Sequence, residues 1–400
     1  MITRRFLLQS AAAAAACSAQ ASRAARAENA PGVTATEIKF GQTIPLSGPA
    51  SAYSVVGRAE AAYFRMINEQ GGVNGRKLNF LDVDDAYSPP KTVEQTRRLV
   101  EQEGVAFLFN GVGTAAQIAV RPYLNENKVP QLFSAFGIVD PEHYPWTLPF
   151  FQLYASEAAI YAHYTLLTQP QAKVAILYQN DDFGRTYLKG FRDGLGSEHH
   201  GMIVKTASYE ASEPTVDSQI ISLQASGADV LLIAASPKFA AQAIRKAADL
   251  TWKPTRYISV VSSTIVGVLK PAGLDNSRDL ITAIPNKDVT DPQWRDDPDV
   301  KAFTAFIEKY MTPADLSSNA AAYGYQSATL LVDVLGKCGD DLSRNSIMRR
   351  ATSIKDLALP LGLPGVKVNT SPSDYRMVRQ YQLQRFDGEH WKLFGDVLDD

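Results

Sequence analysis

Two adjacent carboxylates, Asp84 and Asp85, close the stretch KLNFLDVDD and are followed by Ala-Tyr-Ser-Pro-Pro. Paired acids can do acid–base work or hold a metal only if both reach one reacting atom. The apolar run before them reads as a strand, and successive strand residues point to opposite faces. Neighbouring aspartates at a strand end suit loop and helix-start hydrogen bonds better, so the pair is expected to be structural rather than catalytic or metal-binding. Asp181-Asp182, before Phe183-Gly184, occupy the same place in a later segment and carry the same expectation. The histidines stand at 143, 163, 199, 200 and 390, and none has the spacing of a metal motif such as HExxH. Gly111-Val112-Gly113-Thr114 leads into a helix, and helix-start amides attract anions. Without a P-loop lysine or a full GxGxxG, that turn fits a carboxylate, aided by the Thr114 hydroxyl, better than a phosphate. There is no G-x-S-x-G elbow, although a triad assembled in space would leave no such trace. No cofactor or metal is expected.

The elements that must position these residues alternate regularly. EIKFGQTIPL, KLNFLDVDD, VAFLFNG and VPQLFSAFG are strand-like, and VGRAEAAYFRMINEQ, KTVEQTRRLVEQEG and TAAQIAVRPYLNENK between them have helical spacing. The alternation restarts near residue 151 with KVAILYQN, MIVKTASYE, ADVLLIAAS and TRYISVVS as strands. Strands separated by helices mean βαβ units and parallel sheets, hence an α/β protein with two lobes. Long helices return at VKAFTAFIEKYM and SNAAAYGYQSATLLVDVLGKC, and two short strands close the chain around Asp387-Gly388. Ligands of open parallel sheets sit at the carboxyl ends of the strands. The loops there are 45–53, 84–90, 111–114, 134–137, 181–184, 235–237 and 261–264.

The 400 residues suffice for two domains, and 45% apolar content allows large cores. A formal charge of −2 gives no case for nucleic-acid binding. Thr3-Arg4-Arg5-Phe6-Leu7-Leu8 and the alanine-rich run after it read as a Tat-type export signal over residues 1–27. Cleavage after Ala27 removes four arginines and no acids, taking the charge from −2 to −6. Alternatively Ala14-Ala15-Ala16-Cys17 is a lipoprotein box. Cys17 and Cys338 are the two cysteines, so cleavage at Ala27 leaves no intrachain disulfide, and Cys338 is expected to be a packing residue.

Several stretches, IKFGQTIPLSGPASAY, NEQGGVNGRKLNFLDVDDAYSPPKTVEQTRRLV, NKVPQLFSAFG, KVAILYQNDDFGRTYLKGFRDGLG and YGYQSATLLVDVL, together resemble the periplasmic substrate-binding proteins of ABC importers, of the Leu/Ile/Val-binding type. The resemblance implies a bilobal clamp of the type I periplasmic binding protein fold. Lobe 1 would span 33–150 and 286–360, lobe 2 would span 151–285 and 361–400, and three crossovers would form the hinge. A small molecule would be captured between the lobes by a monomer and handed to an inner-membrane ABC permease. Carried over by position, Tyr53 would be a pocket aromatic, and Gly113 and Thr114 would grip a carboxylate. Ser134, Ala135 and Phe136 would form the next contact loop, with Phe183, then Ser236 and Pro237, and Ser262 on the other lobe. Around Val261-Ser262 the amino-acid binders carry a glutamate that pairs with the ligand ammonium, whereas ISVVSSTIVG has no carboxylate. A buried ammonium without a partner is costly. The expected ligand is therefore a hydrophobic or aromatic carboxylate lacking that ammonium, unless another acid such as Asp182 supplies the partner. Three roles stay open: an uptake receptor, which the export signal favours, a ligand sensor on the same fold, or an exported hydrolase.

Overall fold

A computed structural model describes residues 29–399, so the export-signal segment, with Cys17 and Ala27, lies outside the described residues. The first sheet holds β1 (Glu37–Ile44), β2 (Lys77–Asp84), β3 (Leu108–Phe109), β4 (Gln131–Ser134) and β5 (Thr147–Pro149). Its order is β2-β1-β3-β4-β5, with parallel pairing throughout. Helices α1 (Ser54–Glu69), α2 (Pro89–Arg97) and α3 (Thr114–Glu126) connect these strands. Phe40, at the centre of β1, stacks on Phe107 at 5.1 Å and meets the edge of Phe64 on α1 at the same distance.

The second half begins with α4 (Tyr154–Thr168), β6 (Val174–Gln179), α5 (Asp182–Leu195) and β7 (Ile203–Tyr209). It continues through α6 (Asp217–Gln224), β8 (Val230–Ala234), α7 (Pro237–Asp249), β9 (Thr255–Ile258) and β10 (Ile281–Ile284). Strand β8, VLLIA, is buried along its whole length, as a central parallel strand covered on both faces must be. Asp181 caps α5 by accepting the Gly184 amide, satisfying one of the orphan donors of the first turn. Gly190 and Gly194 let α5 lie directly on α4: a β-carbon at either would sit 2.5 and 2.7 Å from Ala155 and Ala159.

After β10 the chain crosses back at Pro285–Lys287. Helix α8 (Pro298–Tyr310), α9 (Asn319–Cys338) and α10 (Arg344–Ala351) follow, and α9 packs along α1 against the first sheet. A last crossing over 357–379 delivers β11 (Gln380–Phe386) and β12 (Trp391–Asp399), which pair antiparallel at the edge of the second sheet. That sheet runs β12-β11-β10-β9-β8-β6-β7. The second and third crossovers are tied together, with the Leu363 amide on the Pro285 carbonyl and the Lys287 amide on the Leu361 carbonyl. The result is two Rossmann-like lobes with parallel sheets joined by three strands of backbone. Cys338 is buried at the end of α9, and burial pushes its thiol up to about 11, which fits packing rather than reactivity.

Candidate functional site

Between the lobes, facing the carboxyl ends of both sheets, lies a chamber of about 440 Å³. It falls within the usual range for small-molecule sites. Its walls carry Tyr53, Tyr87, Phe150, Phe151, Tyr154, Phe183 and Tyr323. Phe183 is 3% exposed and meets Tyr154 edge-on at 5.1 Å, and Tyr154 stacks on Tyr187 at 5.3 Å. Tyr323 stacks on Phe150 at 5.8 Å and donates its hydroxyl to the Phe150 carbonyl at 2.6 Å. Burial, then the neighbouring phenols and Asp181, push the Tyr53 phenol far above its ordinary value, so it offers a neutral hydroxyl.

The acid pair at the end of β2 builds one of these walls. Asp84 accepts the amides of Leu46, Ser47 and Ala86, the Ser47 hydroxyl, and the Lys91 ammonium. Burial pushes its carboxyl up, but the Lys91 and Ser47 bonds outweigh that and hold it well below the usual carboxylate range. Asp85 accepts the Tyr87 amide and the Thr92 hydroxyl, both at 2.9 Å. Those bonds support Ala86 and Tyr87 in the left-handed region, at φ 52° and 59°, which non-glycine residues rarely adopt. The turn sends Tyr87 into the chamber, where its hydroxyl accepts from Gln179 of the other lobe at 3.3 Å. The pair is thus structural, and it positions a chamber residue that lay hidden within the scaffold motif.

Beside Tyr87, α3 begins at Thr114 with no side-chain cap, after Gly113 at φ 106°. A β-carbon on Gly113 would meet the Tyr87 ring at 2.9 Å. Thr114 Oγ1 and Tyr154 Oη are 3.1 Å apart and bridge the lobes, and Asn319 of α9 donates to Ser263 Oγ at 3.1 Å. Tyr53, Gly113, Thr114, Ala135, Phe183 and Pro237 line the chamber together. Ser134, Phe136, Ser236 and Ser262 lie behind its walls. Ser134 Oγ is buried with no protein partner, and Phe136 is 0% exposed under the Arg121 guanidinium. Ser236 is held by Tyr209, whose hydroxyl accepts its amide at 2.9 Å. The chain after β9 winds into a short helical turn at Val260–Ser262, which aims the Ser262 hydroxyl inward onto the Ala235 carbonyl at 2.6 Å.

The charges around the chamber are already matched. Among the described residues, Asp315 is the acid and Arg58 the base on its walls, and they pair at 2.9 Å. Asp315 also accepts the Thr312 hydroxyl at 2.7 Å. Asp181 holds Gln179 and the Gly184 amide, and Asp182 is exposed outside the chamber lining. Glu157 is fully buried directly behind Val260 and Gln152. It accepts four hydrogen bonds: Tyr161 at 2.5 Å, Val260 N at 2.9 Å, Gln152 at 2.5 Å and Tyr187 at 2.6 Å. Burial nonetheless pushes its carboxyl up to about 7.

Residues 37–390 match the periplasmic binding protein family. The chain belongs to that family. Curated relatives named as Leu/Ile/Val- and leucine-binding proteins match it at 24–25% identity, over a little more than half of their length. The Leu/Ile/Val-binding protein homolog 7 of Brucella abortus (strain 2308) is 24% identical over 236 residues, 56% of this chain and 58% of the relative's own length. Among solved structures, a branched-chain amino acid ABC transporter protein from Thermus thermophilus with bound valine superposes with a TM-score of 0.82 at 15% identity, covering 92% of this chain and 98% of the other. A solute-binding protein from Rhodopseudomonas palustris BisB5, in complex with 3,4-dihydroxybenzoic acid, gives 0.76 at 18% identity, covering 91% and 97%. At these identities the structural likenesses establish the fold. Periplasmic binding proteins of this family bind small ligands and work with ABC transporters.

Proposed function

We propose that this protein captures a small hydrophobic or aromatic carboxylate between two closing lobes and delivers it to an inner-membrane ABC permease, acting as a binding protein rather than an enzyme. The observation that carries the reading is a wall of seven aromatic side chains with every nearby carboxylate already engaged. A ligand ammonium would find no free anion there, while ring faces and edges suit an apolar or aromatic body. The uncapped start of α3, with Gly113 and the Thr114 hydroxyl, is the place for the carboxylate. Tyr53, Ala135, Phe183 and Pro237 would complete the contact set, with Ser134, Phe136, Ser236 and Ser262 supporting it from behind. The lobes would be 33–150 with 286–360, and 151–285 with 361–400. Closure would follow from contacts both lobes make only when shut. The mature protein would be a periplasmic monomer, exported by the Tat-type signal and cut after Ala27, or anchored at Cys17.

The second reading is a branched-chain amino acid binder, favoured by the names of the relatives and by the valine in the Thermus thermophilus structure. A thermal-shift panel on the mature protein separates the two. Ligand at about 100 times its dissociation constant adds about 2.7 kcal/mol of stability. Stabilisation by benzoate, 4-hydroxybenzoate, phenylacetate or coumarate, and not by leucine or phenylalanine, is the expected result. Stabilisation by leucine or valine alone would overturn the carboxylate reading.

A further inference from the structure

We infer that the chamber is built for an elongated ligand: an amphipathic monocarboxylate whose hydrocarbon or arylalkyl tail runs toward the hinge and lies between the second and third crossovers. The inference rests on the carboxylate reading above and adds the shape of the ligand and a second contact region.

The length comes from α9. Asn319, Ala320, Tyr323 and Gln326 all line the chamber. They share one helix face over two turns, so this wall alone runs about 10 Å along the axis. A branched-chain amino acid is much shorter than that. The two ends of the wall differ in chemistry. At the Asn319 end stand the Arg58–Asp315 pair and the Thr312 loop. At the Gln326 end, beside Gln152 and Asn286, the lining holds Ile284, Pro285, Leu359, Val366, Val368 and Val378. All six are apolar; Ile284 ends β10, and the other five come from the second and third crossovers rather than from the strand-end loops.

The side-chain amide donors of the two glutamines at this end are spent on the hinge itself. Gln326 Nε2 donates to Asn286 Oδ1 at 2.9 Å and to the Pro360 carbonyl at 2.7 Å. Gln152 Nε2 donates to Glu157 and to the Ala283 carbonyl at 3.1 Å. A ligand carboxylate placed there would find those two donors already taken, whereas methylenes gain by leaving water. The tail therefore belongs at the crossovers, with the carboxylate at Thr114 as in the reading above. A tail in that position touches the segments that bend when the lobes move, so tail length would act on closure as well as on affinity.

The experiment is calorimetric titration of the mature protein with two homologous series, propionate to dodecanoate and benzoate to phenylbutyrate. The dissociation constant is expected to tighten about fourfold for each added methylene until the hinge-side end is full, then level off. Leu359→Gln, at a half-buried position, is expected to weaken decanoate about tenfold, a larger factor than for propionate. Short acids that bind with no gain along either series would overturn the tail while leaving the carboxylate reading intact. No binding by any acid in either series would overturn both. Since the series is run on the unaltered chain, the result does not depend on the variant folding.

Discussion

Replacing Glu157 with glutamine should remove a pH-dependence of stability that the wild-type chain carries. The carboxyl is fully buried behind the chamber wall, and burial is the largest influence on it. Four donors pull in the opposite direction, yet the balance leaves it raised from 4.5 to about 7. A native-state value above the unfolded one means that the folded protein binds this proton more tightly than the unfolded chain does. The associated stability is present in full below pH 4.5 and is lost as pH rises through about 7. Between pH 5 and pH 8 the loss amounts to about 2.5 kcal/mol. Glutamine has no proton to lose, so the variant should not pay it. Urea midpoints of both proteins, measured across that range, give the answer as a difference in which Asp82, Glu60 and the other titrating groups cancel. The difference should move in favour of Glu157→Gln by about 2.5 kcal/mol as pH rises. Any constant offset from altered hydrogen bonding drops out. Two curves that stay parallel to within about 0.5 kcal/mol, the usual size of a neutral surface effect, would refute the reasoning and show the four donors holding the carboxylate ionised at both ends of the range.

Phe183→Ala empties a buried position that meets both Tyr154 and Tyr187, and it should cost about 3–5 kcal/mol of stability, read from the urea midpoint at unchanged m-value. Asp85→Ala removes the acceptor of the Tyr87 amide and one of the two acceptors of the Thr92 hydroxyl, which keeps the Ser88 carbonyl. A loss of about 2–3 kcal/mol is expected, with Asp85→Asn recovering part of it. Tyr154→Phe deletes the hydroxyl that meets Thr114 across the lobes and should weaken whichever acid binds by about 2- to 10-fold, measured by calorimetry, because that bond holds only while the lobes are together.

The legible parts of this molecule were those written locally. The alternation of strand-like and helical stretches announced parallel sheets, and VLLIA is the unbroken apolar run that a strand buried on both faces needs. Ligand loops follow the carboxyl ends of such strands, so the loops themselves could be named in advance. Which residue of a loop faces the ligand could not. Of the neighbours Ser134, Ala135 and Phe136, Ala135 reaches the chamber, because β4 shifts register against β5 after Leu132 and turns its neighbours inward. Ser262 is turned away by the helical turn that ends β9 early, and Pro237 lines the chamber while Ser236 before it faces Tyr209. Tyr87 was obscured by two left-handed residues that nothing in DDAYSPP demands.

The crossovers were the least legible part of the site, for a different physical reason. Phe150 and Phe151, Pro285, and Val366 and Val368 belong to no repeating element, so no period marks the face they present. Tyr323 reads as one more core residue of an apolar helix until its hydroxyl is seen on the Phe150 carbonyl and its ring over Phe150. That one side chain joins helix α9 of the first lobe to the first crossover, while Gln326, one turn on, joins the same helix to the second and third. The α9 wall of the chamber is thus also the part that holds the hinge. A ligand filling the space beside α9 would be read by the hinge directly, and selection by length would then be a property of closure itself.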